Sequence, residues 1–210
     1  MRLLDPRHAP DATLPCELRD HPEWHRGRER YWLWSIPVEC PRVLARLDAA
    51  RALLGDWLHP PGLRQAHITL FVCGFPCAEP EHDDDIATTR LDAQHDALET
   101  LRMAPFELSI GGLDSFASAA FLAVGEDARL DHLRQALGRL ATEVRQAPYV
   151  PHLTVGLYRM AASTAEWRRR AAALGDCPPL ALPVRELQLV SYAAAESLGP
   201  LRIEARVALA

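Results

Sequence analysis

The chain has 210 residues, 49% of them apolar and 24% charged, which suits one globular domain with an ample core. Its formal net charge is −5 and all 23 basic residues are arginine, so it lacks the basic excess of proteins that grip long nucleic acid along the backbone. No apolar run approaches ~18 residues and the N-terminus lacks the apolar stretch of a signal peptide, so no membrane span is read and the cytoplasm is the expected location.

Residues 1–29 are rich in Pro and His with weak periodicity, and read as an extension ahead of a single domain over 30–210. His21 and His25 would align on a helix, but no third ligand stands at a suitable spacing, so they read as a solvated helix start. Tyr31–Val38 reads as a buried strand. Pro41 opens a helix over 41–58 with Val43, Leu44, Leu47, Ala50, Leu54, Trp57 and Leu58 on one face. A strand over 66–73 follows, then an acidic, Pro-containing loop over 74–87. A helix over 90–103 leads to a strand over 106–111.

The second half repeats this order. A strand over 119–124 precedes a helix over 128–145 with Leu130, Leu133, Leu137, Leu140 and Val144 inward, and a strand over 150–158. Ser163 and Glu166 form a capping box opening a helix through Leu174. Strands over 184–192 and 201–209 pair as a hairpin across Leu198-Gly199-Pro200. Each half thus reads β-α-β-α-β. The expected fold is α+β and bilobed, with two pseudo-two-fold related lobes of mostly antiparallel sheet around a central cleft. Five scattered cysteines read as reduced thiols, and Cys73 with Cys77 lacks the second pair a metal site requires.

The central strand of each half carries a His and a Thr two apart: His67-Ile68-Thr69 and His152-Leu153-Thr154. Residues i and i+2 of a strand share a face, so each imidazole stands beside a hydroxyl while Ile68, Leu70, Leu153 and Val155 turn to the core. None of the other seven histidines has Thr or Ser at that offset. One such pair is most simply a buried histidine satisfied by its neighbour. Two in matched contexts point to chemistry.

These motifs resemble those of the 2H phosphoesterases, and within them the bacterial 2'-5' RNA ligase / RNA 2',3'-cyclic phosphodiesterase-like group. The resemblance covers about residues 30–209. It implies His67, Thr69, His152 and Thr154 as catalytic residues, with no cofactor and no metal. It also implies a substrate class of RNA ends or nucleotides bearing a 2',3'-cyclic phosphate or a 2'-5' phosphodiester. Hydrolysis by water is the expected reaction, and with an RNA 5'-hydroxyl as the nucleophile the same chemistry gives 2'-5' ligation. A monomer with no membrane partner is expected.

The residue types fit that chemistry. Displacement at phosphorus needs a base on the entering oxygen, an acid on the leaving oxygen, and donors to the phosphoryl oxygens. Two imidazoles divide the first two tasks and two hydroxyls supply the third. Strand alternation nominates Phe71 and Tyr158 as stacking partners for a base or ribose. Gly156 permits close approach. Arg159 is a phosphate binder by charge, yet falls on the far face of a regular strand, and Arg64 has an equally weak claim. Two alternatives stand beside this reading: a nucleotide- or RNA-end-binding module without catalysis, and metal-assisted hydrolysis using His67, His152 and the Asp83–Asp85 run, which lacks ligand spacing.

Overall fold

The computed structural model describes residues 3–4, 9–174 and 177–210. A short helical turn, α1 (Pro22–His25), precedes β1 (Arg30–Pro37). Pro41 opens α2 (Pro41–Leu54), which buries Val43, Leu47, Ala50 and Leu54 at helical spacing. The first His-x-Thr motif starts β2 (His67–Cys77), followed by β3 (Asp85–Ala87) and α3 (Thr88–Thr100). β4 (Phe106–Ser115) and β5 (Ala119–Val124) form a hairpin. α4 (Ala128–Gly138) is capped by the Asp127 carboxylate, which accepts from the Arg129 N–H. β6 (His152–Leu157) carries the second motif. In α5 (Thr164–Ala173) the Ser163 hydroxyl accepts from the Glu166 N–H, as the capping box predicts. β7 (Leu180–Val184), β8 (Glu186–Ala193) and β9 (Arg202–Ala208) complete the chain.

All nine strands belong to one curled sheet in the order β7-β4-β5-β6-β2-β1-β8-β9, with β3 added parallel to β2 and every other pair antiparallel. The fold is α+β. In place of two lobes with separate sheets, the described residues form one sheet whose four-strand halves meet at β2 and β6. The last strand of each sequence repeat also joins the opposite half. β4 pairs with β5 and β7, and β8 pairs with β1 and β9. Periodicity identifies strands, but helical crossovers choose their neighbours, so this exchange is invisible in the repeat pattern.

The helix expected over 128–145 ends at Gly138. Beyond it the chain is recruited to β2: the Val144 N–H donates to Val72 O (3.2 Å) and the Glu143 carboxylate accepts the Val72 N–H (3.0 Å). Those bonds compete with helix continuation, and Leu140 and Val144 leave the helical face. α2 likewise ends before Trp57 and Leu58, which are nevertheless buried. The unforeseen β7 contains Pro183 and lies at the sheet edge, where a missing N–H is tolerated. In the core the buried Trp34 indole donates to Gln94 Oε1 (3.0 Å), and the Gln94 amide donates to Leu137 O (3.2 Å). A polar group is thereby satisfied in an apolar interior. All five cysteines are free.

The N-terminal segment is bonded to the second half of the sheet. Its Thr13 N–H donates to Ala162 O (2.9 Å) and its Cys16 N–H to Tyr158 O (2.7 Å), while Leu3 is fully buried.

Candidate active site

The two histidine strands carry matching bulges. Along β1 and β2, Ser35 pairs with Thr69 and Trp34 with Phe71, leaving Leu70 as the extra residue. Along β5 and β6, Phe121 pairs with Thr154 and Ala120 with Gly156, leaving Val155 as the extra residue. Each extra residue lies three positions after its histidine. An arginine from a helix takes the carbonyl at each bulge: Arg134 of α4 donates to Leu70 O and Arg51 of α2 to Val155 O (3.0 Å). The helix of one half thus secures the bulge of the other, which is the pseudo-two-fold relation expressed in hydrogen bonds.

A bulge reverses the alternation beyond it, and this overturns both expected stacking residues. Phe71 is 2% exposed and packs in the helix-covered core. Tyr158 is fully buried; its hydroxyl is bonded to Ser115 Oγ (2.7 Å) and accepts from the Trp167 indole N–H (2.6 Å). Neither lines the cleft, where Val72 and Leu157 stand instead. Arg159 is exposed on another surface and donates to Asp56 O (3.0 Å).

β2 and β6 pair in one register only, Ile68 opposite Leu153. Antiparallel geometry around that pair sets His67 across from Thr154 and Thr69 across from His152. The two imidazoles therefore occupy diagonal corners of a square, about 7–8 Å apart at the backbone, and the hydroxyls occupy the other two. All four line one cavity of about 590 Å³. Among the described residues neither threonine hydroxyl has a hydrogen-bond partner.

Both rings are held the same way. His67 Nδ1 lies 2.9 Å from Gln65 O and His152 Nδ1 lies 2.7 Å from Val150 O, each carbonyl two residues upstream. A carbonyl only accepts, so Nδ1 carries the proton and Nε2 is the free nitrogen of the neutral ring. Phe116 contacts the His152 ring edge-on (5.0 Å) and Phe121 packs beside it (5.4 Å). Burial pushes His67 down to about 4, with the Arg64 charge and His152 adding to the effect and the Gln65 carbonyl opposing it. Burial also lowers His152, opposed by the Val150 carbonyl and reinforced by Arg145. With both lowered from the ordinary histidine value, the two imidazoles are neutral at pH 7.

Arg51, Arg64 and Arg145 give the cavity a positive wall. Arg64 Nε donates to Gly199 O (3.2 Å), the guanidinium lies over the Tyr192 ring (3.9 Å), and its Nη2 is buried with no hydrogen-bond partner. The sequence offered only its position three before His67. Trp24, Tyr31 and Tyr192 form an aromatic wall that sequence reasoning passed over. Tyr31 and Tyr192 sit in strands where an aromatic signals core, and Trp24 lies in a segment without periodicity. Gly156 lines the cavity beside Leu58, whose Cδ1 would lie 3.0 Å from an added Cβ. His59 also lines it but donates Nε2–H to Cys16 O (2.8 Å).

The acidic run does not join the histidines. Asp84 and Asp85 bind Arg28 at 2.6 and 2.5 Å and neither lines the cavity. The metal-assisted arrangement considered from sequence is therefore not assembled. Among the described residues one group could converge on a cation, His95, Asp96 and Glu99 of α3, remote from the motifs in sequence. His21 and His25 each face a carboxylate, Glu23 and Asp20.

The sequence profile of the 2'-5' RNA ligase superfamily matches residues 41–196. The chain belongs to that superfamily. Solved structures agree in fold at low identity. Escherichia coli LigT complexed with 3'-AMP is 19% identical with a TM-score of 0.55, over 86% of this chain and 98% of that one. LigT in apo form gives 18% and 0.58, over 87% and 98%. TT0787 of Thermus thermophilus gives 17% and 0.55, over 85% and 97%. No curated protein sequence matches the chain significantly. The superfamily match begins after β1, so the N-terminal segment lies outside it.

Proposed function

We propose that this superfamily member is a metal-independent phosphoesterase acting on RNA or nucleotide 2',3'-cyclic phosphate ends, with His67 and His152 as acid and base. The observation that carries the reading is the matched pair of imidazoles, each fixed through Nδ1 to a carbonyl and each lining the same cavity. One neutral Nε2 takes the proton of an attacking water as its oxygen bonds to phosphorus. The other histidine, protonated, gives its proton to the ribose oxygen as the P–O bond breaks. Thr69 and Thr154 donate to the non-bridging oxygens, and the arginine wall offsets their charge. With a ribonucleotide 5'-hydroxyl in place of water, the same displacement, in which the 5'-oxygen bonds to phosphorus and the 3'-oxygen leaves with the proton, joins the ends in a 2'-5' linkage.

Incubation with an oligonucleotide ending in a 2',3'-cyclic phosphate tests this directly. Opening to a monophosphate end in the presence of chelator is expected; complete loss with chelator and rescue by a divalent cation would reassign the reaction to metal chemistry.

A second reading, a nucleotide-binding module without turnover, has support in related structures. LigT is solved with 3'-AMP, ATP and NADP+. Tight binding of a 2'-phosphorylated nucleotide with no turnover of any cyclic phosphate would favour it. No helix among the described residues is long and apolar enough to cross a membrane, and a cytoplasmic monomer forms part of the same proposal.

A further inference from the structure

The cavity extends beyond the histidine square along a ladder of planar groups. The Arg64 guanidinium lies over Tyr192 (3.9 Å), Tyr192 packs on Tyr31 (5.8 Å), and Tyr31 packs on Trp24 (5.0 Å). Tyr31 and Tyr192 come from paired positions on β1 and β8. Trp24 comes from the N-terminal segment, outside the part of the chain that matches the superfamily. All four side chains line the cavity that holds His67 and His152.

Trp24 is held there by a specific clamp. Arg28 donates through Nη2 to Trp24 O (2.8 Å) and through Nη1 to Asp84 and Asp85, and its guanidinium lies over Phe75 (3.9 Å). Phe75 in turn packs on Trp24 (5.2 Å). The acidic loop reaches Arg28 because Gly74 adopts φ +101°. A Cβ at that position would fall 2.2 Å from Asp84 O, so only glycine allows the approach.

We propose that the N-terminal segment is part of the substrate site, with Trp24 as the platform on which the nucleobase adjoining the reacting phosphate stacks, and Arg28 as its positioning residue. The proposal takes the location of the phosphate from the phosphoesterase reading. Two independent features support a nucleotide as occupant. The ladder offers π-faces, which bind any base. Arg64, which lies over Tyr192 and lines the same cavity as His67, leaves a buried Nη2 without a hydrogen-bond partner, and such a cationic nitrogen calls for an anion. A ribose phosphate with its base attached supplies both.

The test compares nucleoside 2',3'-cyclic phosphates with ribose 2',3'-cyclic phosphate, which has the reacting group but no base. Stacking on one aromatic platform corresponds to about 10- to 100-fold in affinity. Trp24→Ala should raise KM for the base-bearing substrate by that factor relative to the baseless one, Trp24→Phe should largely restore it, and Arg28→Ala should act in the same direction with a smaller factor. An unchanged ratio of the two KM values in Trp24→Ala and Arg28→Ala overturns the proposal. Should the wild-type protein turn over neither substrate, the phosphoesterase reading fails and the proposal is still decided by titrating adenosine 2'-phosphate against tryptophan fluorescence. A change in wild type that disappears in Trp24→Phe supports it. A change equal in both proteins, or none in wild type, overturns it.

Discussion

Ile68 and Leu153 face each other at the single register where the two histidine strands pair, and both are fully buried. That pair is the hinge of the site's symmetry. Its apolar side chains point into the core, so the polar neighbours on both strands point into the cavity. It also fixes the diagonal placing of the imidazoles, since each histidine then stands opposite the other strand's threonine.

Removing either corner of that square should be costly in rate and cheap in stability. His67→Ala and His152→Ala should each lower kcat for cyclic phosphate opening by about 10²–10⁴-fold, the usual worth of a positioned acid or base. Thr69→Val and Thr154→Val should lose less than the ~10²–10³ of a lone oxyanion donor, because the partner hydroxyl and the arginine wall remain. Rates from purified variants, beside thermal melts within about 2 °C of wild type, check this. Turnover unchanged in both histidine variants would remove these residues from the chemistry.

The pH dependence follows from burial. Both histidines lie below their ordinary value in the free protein, His67 at about 4. One must be neutral and one protonated, so kcat/KM should be bell-shaped with its maximum between two coupled constants, on the acid side of about 6.5 whichever histidine plays which role. A bound phosphate monoanion favours imidazolium and raises both constants, so the maximum of kcat should lie at higher pH than that of kcat/KM. Parallel profiles of the two parameters measure the difference. A kcat/KM maximum at about pH 8 or above is incompatible with the assignment.

Arg134 joins three supports beneath the first motif. Besides the Leu70 carbonyl it binds the Glu143 carboxylate (2.5 Å) and lies over the Tyr149 ring (3.8 Å), and the Tyr149 hydroxyl donates to Thr69 O (3.0 Å). Arg134→Met keeps the stem but leaves the bulge carbonyl and the part-buried Glu143 without their cation. A loss of about 1–3 kcal/mol is expected, read as a Tm lower by about 2–12 °C for a chain of this size. A smaller fall in kcat should accompany it, through loosening of Thr69. A melt identical to wild type would show that the bulge needs no side-chain support.

How much of this is legible in the sequence depends on distance along the chain. His67 with Thr69 and His152 with Thr154 share a face by strand geometry alone, because i and i+2 are too close for tertiary structure to separate them easily. Two residues further the rule fails, since a single inserted residue, Leu70 or Val155, reverses the faces that Phe71 and Tyr158 were expected to share. Nothing in those apolar runs marks a bulge; the arginines that satisfy its carbonyls lie 64 and 104 positions away. The early end of α4 has a similar cause, as Glu143 and Val144 leave the helical pattern to bond Val72. Trp24 and Arg28 are visible only once the acidic loop and β2 are folded together.

Tyr158 separates packing from recognition most sharply. From sequence it shares the His152 face and could stack a base; in the structure it is a core residue whose hydroxyl stands between Ser115 and Trp167. Ser115 Oγ also bonds Phe116 O (2.6 Å) and Ala119 O (3.0 Å), so it has other partners. The buried Trp167 indole N–H has Tyr158 as its acceptor. Tyr158→Phe keeps the ring and its packing but leaves that N–H unsatisfied in an apolar interior, a cost of about 1–3 kcal/mol. The variant should melt about 2–12 °C lower while KM and kcat for a nucleoside 2',3'-cyclic phosphate, measured well below the melting range, stay within about twofold of wild type. Tyr158→Leu, which also loses the aromatic packing, should fall further in stability and still retain substrate affinity when folded. A raised KM in Tyr158→Phe with an unaltered melt would return this tyrosine to the substrate and place the Trp167 hydrogen bond outside the stability of the fold.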